Sequence, residues 1–170
     1  MSTMESIAAP EQSGTSRRVT DLTTMLLPVM GKSLLLPGVS VAEIVHYSYP
    51  ARPDDAPPWY YGTIAWRKLD VPLVSFELLN GQPLATGSSS QHIAVLNNTG
   101  VSEAIPFIAI VIQGIPRLVR ANEKAIGDAE GIALAPAEMA AVMLAGWEDP
   151  VFIPDVAVLE RALDSYLQQH

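Results

Sequence analysis

Three histidines, two adjacent aspartates, a Gly-Lys-Ser triplet and a run of three serines are the residues of this chain whose types could do chemistry. Histidine titrates near neutrality and ligates metals. His46 and His92 fall in runs that read as strands, neither has a ligand-spaced partner, and His170 ends the sequence. Asp54-Asp55 offers two carboxylates for metal or acid–base work. It sits in Pro50–Pro58, which holds four prolines and no further ligand, so it reads as a solvated loop. Gly31-Lys32-Ser33 has the ending of a phosphate-binding loop. That loop needs a glycine five residues before its second glycine, and Leu26 stands there. Ser88 to Ser90 has no nameable partner base and reads as a linker. His-Glu-x-x-His, calcium-loop and Gly-x-Ser-x-Gly patterns are absent, and so is cysteine. These absences weigh against an enzyme, and no catalytic residue, cofactor or metal is expected.

Arg67 is the remaining residue of interest. Thr63 to Trp66 reads as one strand and Val71 to Phe76 as a second, with Arg67, Lys68, Leu69 and Asp70 as the connection between them. Gly62 opens the first strand, where a missing Cβ permits a bend or a close backbone approach. Pro72 cannot donate to a ladder and belongs at an edge or bulge. The hairpin displays Arg67 near its tip, with Asp70 across the turn as its acidic neighbour. Arginine suits partner recognition because its planar fork makes paired hydrogen bonds to a carboxylate. The plain reading beside this one is an ordinary hairpin with a solvated charge.

The elements that must position this hairpin follow from composition and patterning. The chain has 170 residues, 49% hydrophobic and 16% charged, enough for one domain or two small subdomains sharing a core. A net charge of −8 argues against nucleic acid and against an anionic membrane surface. No run reaches the length of a membrane helix, and the N-terminus lacks the pattern of a secretion signal, so a cytoplasmic protein without membrane insertion is expected. Residues 1–20 are polar, small and aperiodic, a disordered tail before a folded unit over 21–170. Met25 to Met30 and Leu34 to Leu36 form a hairpin about Gly31-Lys32-Ser33. Pro37-Gly38 punctuates, and a short turn followed by a strand to about Tyr49 continues the apolar pattern of Val39, Val41, Ile44 and Val45. Trp59, Tyr60 and Tyr61 either line a partner site or plug one end of a barrel. Glu77 to Gln82 reads as a helical turn, and Pro83 to Gln91 as a flexible connection and candidate subdomain boundary. His92 to Leu96, Phe107 to Ile112 and Arg117 to Arg120 read as strands, Ala121 to Glu138 as mostly loop, and Ala140 to Leu144 and Val151 to Ile153 as two more strands. Asp155 is the expected N-cap of a C-terminal helix whose Val156, Leu159, Leu163 and Tyr166 or Leu167 share one face. About ten short strands at regular spacing predict a mainly β protein, a barrel or sandwich.

Val41-Ala42-Glu43-Ile44, a proline-rich loop, Gly62, and Arg67 followed five residues later by Pro72 stand in an order and spacing that resembles the CheW chemotaxis coupling proteins. That family shows a Val-x-Glu-Ile segment, a glycine opening a strand, and an Arg-Gly turn before Val-Pro-Val-Ile. Phe107 to Gly114 resembles its later strand, and Ile153-Pro154-Asp155 its last strand before the terminal helix, so the likeness spans about Leu22 to Leu167. Within the family, Leu26-Leu27-Pro28-Val29, Trp66-Arg67 and Gly114-Ile115-Pro116-Arg117 look like ChpC-type adaptors of pilus chemosensory systems. The resemblance implies two packed five-stranded SH3-like β-barrel subdomains with a C-terminal α-helix. It implies a non-enzymatic adaptor that bridges a methyl-accepting chemoreceptor tip to the regulatory domain of a CheA-type histidine kinase. Carried over by position, it places partner contact at Val41, Glu43, Gly62, Arg67 and Leu118. One departure is Lys68, where the family has the glycine of its Arg-Gly turn. If that position needs a positive φ, lysine costs on the order of 1 kcal/mol there.

Two other readings compete. A small-ligand-binding β-barrel would gather Trp59, Tyr60, Tyr61 and Trp66 around a pocket. A hydrolase would bring dispersed carboxylates together in a cleft.

Overall fold

The computed structural model describes residues 21–84 and 92–170. The expected tail over 1–20, most of the Pro83–Gln91 connection and the serine run lie outside those residues.

Strands that are apolar on both faces organise the molecule. In a strand, successive side chains point to opposite faces, so an unbroken apolar run must be covered on both sides. The run Phe107 to Ile112 forms β7 (Phe107–Ile112), and it pairs with β6 (His92–Asn97). Ile108, Ile110 and Ile112 face one core with Ala94 and Leu96. Ala109 and Val111 face another with Ile93 and Val95. The N-terminal hairpin of β1 (Leu22–Val29) and β2 (Lys32–Pro37) divides in the same way. Leu27, Leu34 and Leu36 join Ile108 and Ile110, while Leu26 and Leu35 turn to a third core with Val142, Leu144 and Val151. Each sheet thus has its own interior, and one large core lies between the two.

The second sheet contains β3 (Val41–His46), β4 (Tyr60–Trp66) and β5 (Leu69–Val74) in the order β3-β6-β7-β5-β4. Its ends approach each other: Ala51, beyond β3, bridges Thr63 of β4 through hydrogen bonds of 2.8 and 3.2 Å. The first sheet adds β8 (Arg117–Ala121), β9 (Ile126–Asp128), β10 (Glu138–Leu144) and β11 (Val151–Pro154) in the order β8-β1-β2-β11-β10-β9. Its outer strands β8 and β9 are joined by a turn in which Asn122 Oδ1 accepts the Lys124 and Ala125 amides. The protein is mainly β, with two SH3-like barrel subdomains and a C-terminal helix. β9 gives the first sheet a sixth strand and arises in the Ala121–Glu138 stretch read as loop.

A short helix, α1 (Phe76–Leu79), follows β5, with Ser75 Oγ accepting the Leu78 amide as its cap. The second, α2 (Val156–Gln168), buries Leu159 and Leu163 in the shared core, with Val156 and Tyr166 packed alongside; Leu167 is 42% exposed. Asp155 is the N-cap residue, as expected, but its side chain makes no cap hydrogen bond. Glu160 is fully buried on the same helix. Its carboxylate accepts the Thr99 and Val101 amides, so α2 also fixes the loop after β6. Glu77 and Glu138 are buried likewise: Glu77 accepts the Met30 amide, and Glu138 pairs with Lys32 and accepts the Ala135 amide. Buried carboxylates are tolerable only when paired or hydrogen-bonded in this way. Lys32 also lies over the Phe152 ring, 4.4 Å from its centroid, so the Gly-Lys-Ser lysine is a tie between strands.

Candidate functional site

The central hairpin is tighter than its sequence suggested. Ala65 pairs with Asp70 and Trp66 with Leu69, leaving Arg67-Lys68 as a two-residue turn. Both have positive φ, 47° and 64°. Such a turn matches the twist of the flanking strands but requires left-handed backbone, which favours Asn or Gly. Lys68 therefore holds a strained conformation of the kind that favours glycine. Pro72 lies before the parallel pairing of β5 with β7 begins at Leu73, so its missing N–H breaks no bond there.

Gly62 makes the hairpin possible from the other end. Its φ is 108°, and a Cβ would lie 2.2 Å from the Ala51 carbonyl oxygen. The β4–β5 register shifts between Tyr60 and Gly62, and the bridge to Ala51 follows at Thr63. Gly62 is buried, so its contribution is to geometry and not to a contact surface.

Arg67 finds its acidic neighbour on another strand, and not at Asp70. Glu43 lies at the irregularity in β3, where the register shifts between Val41 and Glu43. Its Oε2 accepts the Trp66 indole N–H at 2.5 Å and stands 3.6 Å from Arg67 Nη2. The Arg67 guanidinium lies over the Trp66 ring, 4.5 Å from its centroid. Trp66 in turn packs edge-on against Phe107, with ring centroids 4.7 Å apart. The stack is graded in burial: Trp66 is 6% exposed, whereas the Glu43 and Arg67 side chains are 42% and 64% exposed. A buried indole thus holds a carboxylate and a guanidinium at the surface. Such a pair adds roughly 0–1 kcal/mol to the fold.

The structure brings Glu43 and Arg67 together, with Val41 two residues away on the same strand. Val41 is half-buried against the shared core. Leu118 stands apart from them. It is 69% exposed on β8, paired with Met25 in the other sheet. Ile115, 78% exposed, precedes it in the same segment.

The aromatic residues separate into three places. Trp59 and Tyr60 pack on Tyr166 of α2, with ring centroids 6.3 and 5.0 Å away. They pack into the shared core under the helix. Burial, and then the neighbouring Tyr166, push the Tyr60 phenol above its usual 10.0. Trp66 belongs to the second sheet's interior. Tyr61 lines an open cavity of about 570 Å³ with Tyr47, Tyr49 and Arg52, and Tyr60 lines a separate one of about 310 Å³ with Phe107 and Leu167. Arg52 donates to the Ala56 and Pro57 carbonyls. The four aromatic residues do not converge on a pocket. The buried carboxylates are each held by backbone amides or Lys32: Glu77 by the Met30 amide, Glu138 by Lys32 and the Ala135 amide, Glu160 by the Thr99 and Val101 amides. Asp55 pairs with His170 at 3.0 Å, both side chains being largely exposed. Among the described residues, no helix is long and apolar enough to cross a membrane.

The fold and the hairpin can be compared with known proteins. No curated protein sequence matches the chain. Among solved structures, the chain is similar to the crystal structure of scaffolding protein TtCheW from Thermoanaerobacter tengcongensis. The two align with a TM-score of 0.65 at 12% identity, over 79% of this chain and 89% of that one, a likeness of fold. A family model described as the CheW-like domain matches residues 23–163. That span runs from β1 into α2 and includes Val41, Glu43, Gly62, Arg67 and Leu118, and the chain belongs to the CheW-like domain family.

Proposed function

We propose that this CheW-like chain is a non-enzymatic adaptor of chemosensory signalling that couples a chemoreceptor tip to the regulatory domain of a CheA-type histidine kinase. The observation that carries the reading is the Glu43–Trp66–Arg67 stack. It combines an arginine anchor, a carboxylate beside it and a buried aromatic support, on strands the core holds rigid. Arginine and aromatic residues dominate binding energy at protein interfaces, and rigid presentation lowers the entropic cost of association. Val41 belongs to the same strand, Gly62 sets the hairpin's geometry, and Leu118 offers a second, apolar contact on the other subdomain. The two exposed locations suit a bridging protein, which must hold two partners at once. No cofactor enters this function, and its setting is the cytoplasm.

The finer setting is a system controlling type IV pilus motility, of the ChpC kind. The sequences Leu26-Leu27-Pro28-Val29, Trp66-Arg67 and Gly114-Ile115-Pro116-Arg117 support it. The test is calorimetric titration of the full chain with a kinase regulatory domain and, separately, with a receptor-tip fragment from the same organism. Saturable binding to both, and a ternary complex of all three, is expected. Binding to neither would overturn the adaptor reading. Loss of twitching on deletion of the gene, with swimming intact, is the expected result for the pilus assignment, and the reverse pattern contradicts it.

A further inference from the structure

Two of the three histidines stand side by side, although the sequence separates them widely. His46 closes β3, His92 opens β6, and the antiparallel register pairs them directly. Their ring centroids are 5.4 Å apart with planes tilted by 33°. The residues two before His46 and two after His92, Ile44 and Ala94, pack into the shared core, so the imidazoles continue an apolar face to its end. His46 is exposed and His92 half-buried. His92 Nδ1 is itself buried and has no hydrogen-bond partner.

An orphaned buried ring nitrogen calls for an ion or a water to satisfy it. Spacing favours an ion. A metal–imidazole bond of about 2 Å sets each ring centroid about 3 Å from the metal, so two ligands at a tetrahedral angle have centroids about 5 Å apart. We propose that His46 and His92 form a two-imidazole site for a divalent transition-metal ion, with Zn²⁺ and Ni²⁺ as the fitting class and water completing the coordination. Neutral imidazole is a preferred ligand for both ions. Among the described residues, no group of three or more metal-ligating side chains is assembled, and these supply two ligands. The affinity is accordingly weaker than that of a closed four-ligand site. Exposure of His46 gives the ion an entry path. A bound ion would tie β3 to β6, and β3 carries Val41 and Glu43.

The test uses the full chain, freed of metal by chelation and titrated with Ni²⁺ or Zn²⁺ at neutral pH. One equivalent should bind, and the melting temperature should rise with metal because only the folded chain holds the two rings together. H46Q and H92Q should each weaken binding at least about tenfold and abolish the thermal shift. H170Q should leave both unchanged. His46 is exposed, so H46Q keeps the fold and decides the matter even if H92Q does not fold. Absence of saturable binding overturns the proposal, as does equal affinity in H46Q or loss of binding in H170Q alone.

Discussion

Gly62→Ala separates a residue that shapes the site from one that touches a partner. At φ 108° an alanine is in a region that L side chains rarely adopt, at a cost of about 1–2 kcal/mol. Its Cβ would also lie 2.2 Å from the Ala51 carbonyl oxygen and 2.5 Å from the carbonyl carbon, both backbone atoms that no rotamer change can move away. The segment at Ala51 must therefore retreat, and the two backbone hydrogen bonds with Thr63 go with it. Each such bond is worth about 0.5–1.5 kcal/mol net. The expected loss is about 2–5 kcal/mol, measured by urea denaturation followed by tryptophan fluorescence, with the midpoint lowered and the slope unchanged. Trp66 lies on the same hairpin and reports on it. Binding of kinase or receptor should weaken together with this fall in stability. A change within about 0.5 kcal/mol, the range of ordinary surface substitutions, would refute the close-approach argument.

Two further substitutions test the hairpin and the shared core. Lys68→Gly removes the left-handed strain at φ 64° and should stabilise the chain by up to about 1 kcal/mol, read from the same denaturation curves; a loss of stability would contradict the strain. Leu163→Ala empties a fully buried site between α2 and both sheets and should cost about 2–5 kcal/mol, whereas a near-neutral result would mean that the helix docks elsewhere.

Sequence made the central hairpin legible because its two apolar runs flank a polar Arg-Lys pair and Gly62, a residue with a definite backbone meaning, opens the first; Pro72 misled, since it lies not at an edge but in β5, between β4 and β7, where its missing N–H falls before the β7 pairing begins. The hairpin's turn was read two residues too long. Leu69 and Asp70 carry no strand signal of their own, and they join β5 because cross-strand pairing extends to Trp66. The Leu159–Leu163 face of α2 was equally plain from helical spacing. β9 was not legible, since Ile126-Gly127-Asp128 is too short for periodicity and is a strand only through its pairing with β10. The Glu43–Arg67 pair and the His46–His92 pair were hidden for one reason. Both are made between strands distant in sequence, by barrel closure in the first case and by strand register in the second. The burial of Glu77, Glu138 and Glu160 was not legible because charge predicts exposure, and the groups that bury them, the Met30 amide, the Lys32 side chain and the Thr99 and Val101 amides, are remote in sequence. Arg67 itself was legible as an exposed residue at the hairpin tip; its neighbour Glu43 was not.

The adaptor account rests most directly on Arg67→Ala, with stability and binding measured on the same preparation. The side chain is 64% exposed, and its contacts with Glu43 and Trp66 are of the surface kind, so folding should lose about 1 kcal/mol or less. Desolvated against a partner carboxylate, the same guanidinium is worth about 2 kcal/mol or more, or roughly a thirtyfold rise in Kd for the kinase regulatory domain or the receptor tip. The account predicts a nearly unchanged melting curve together with that loss of affinity. Unchanged affinity for both partners, or a fold that collapses with the substitution, would contradict it.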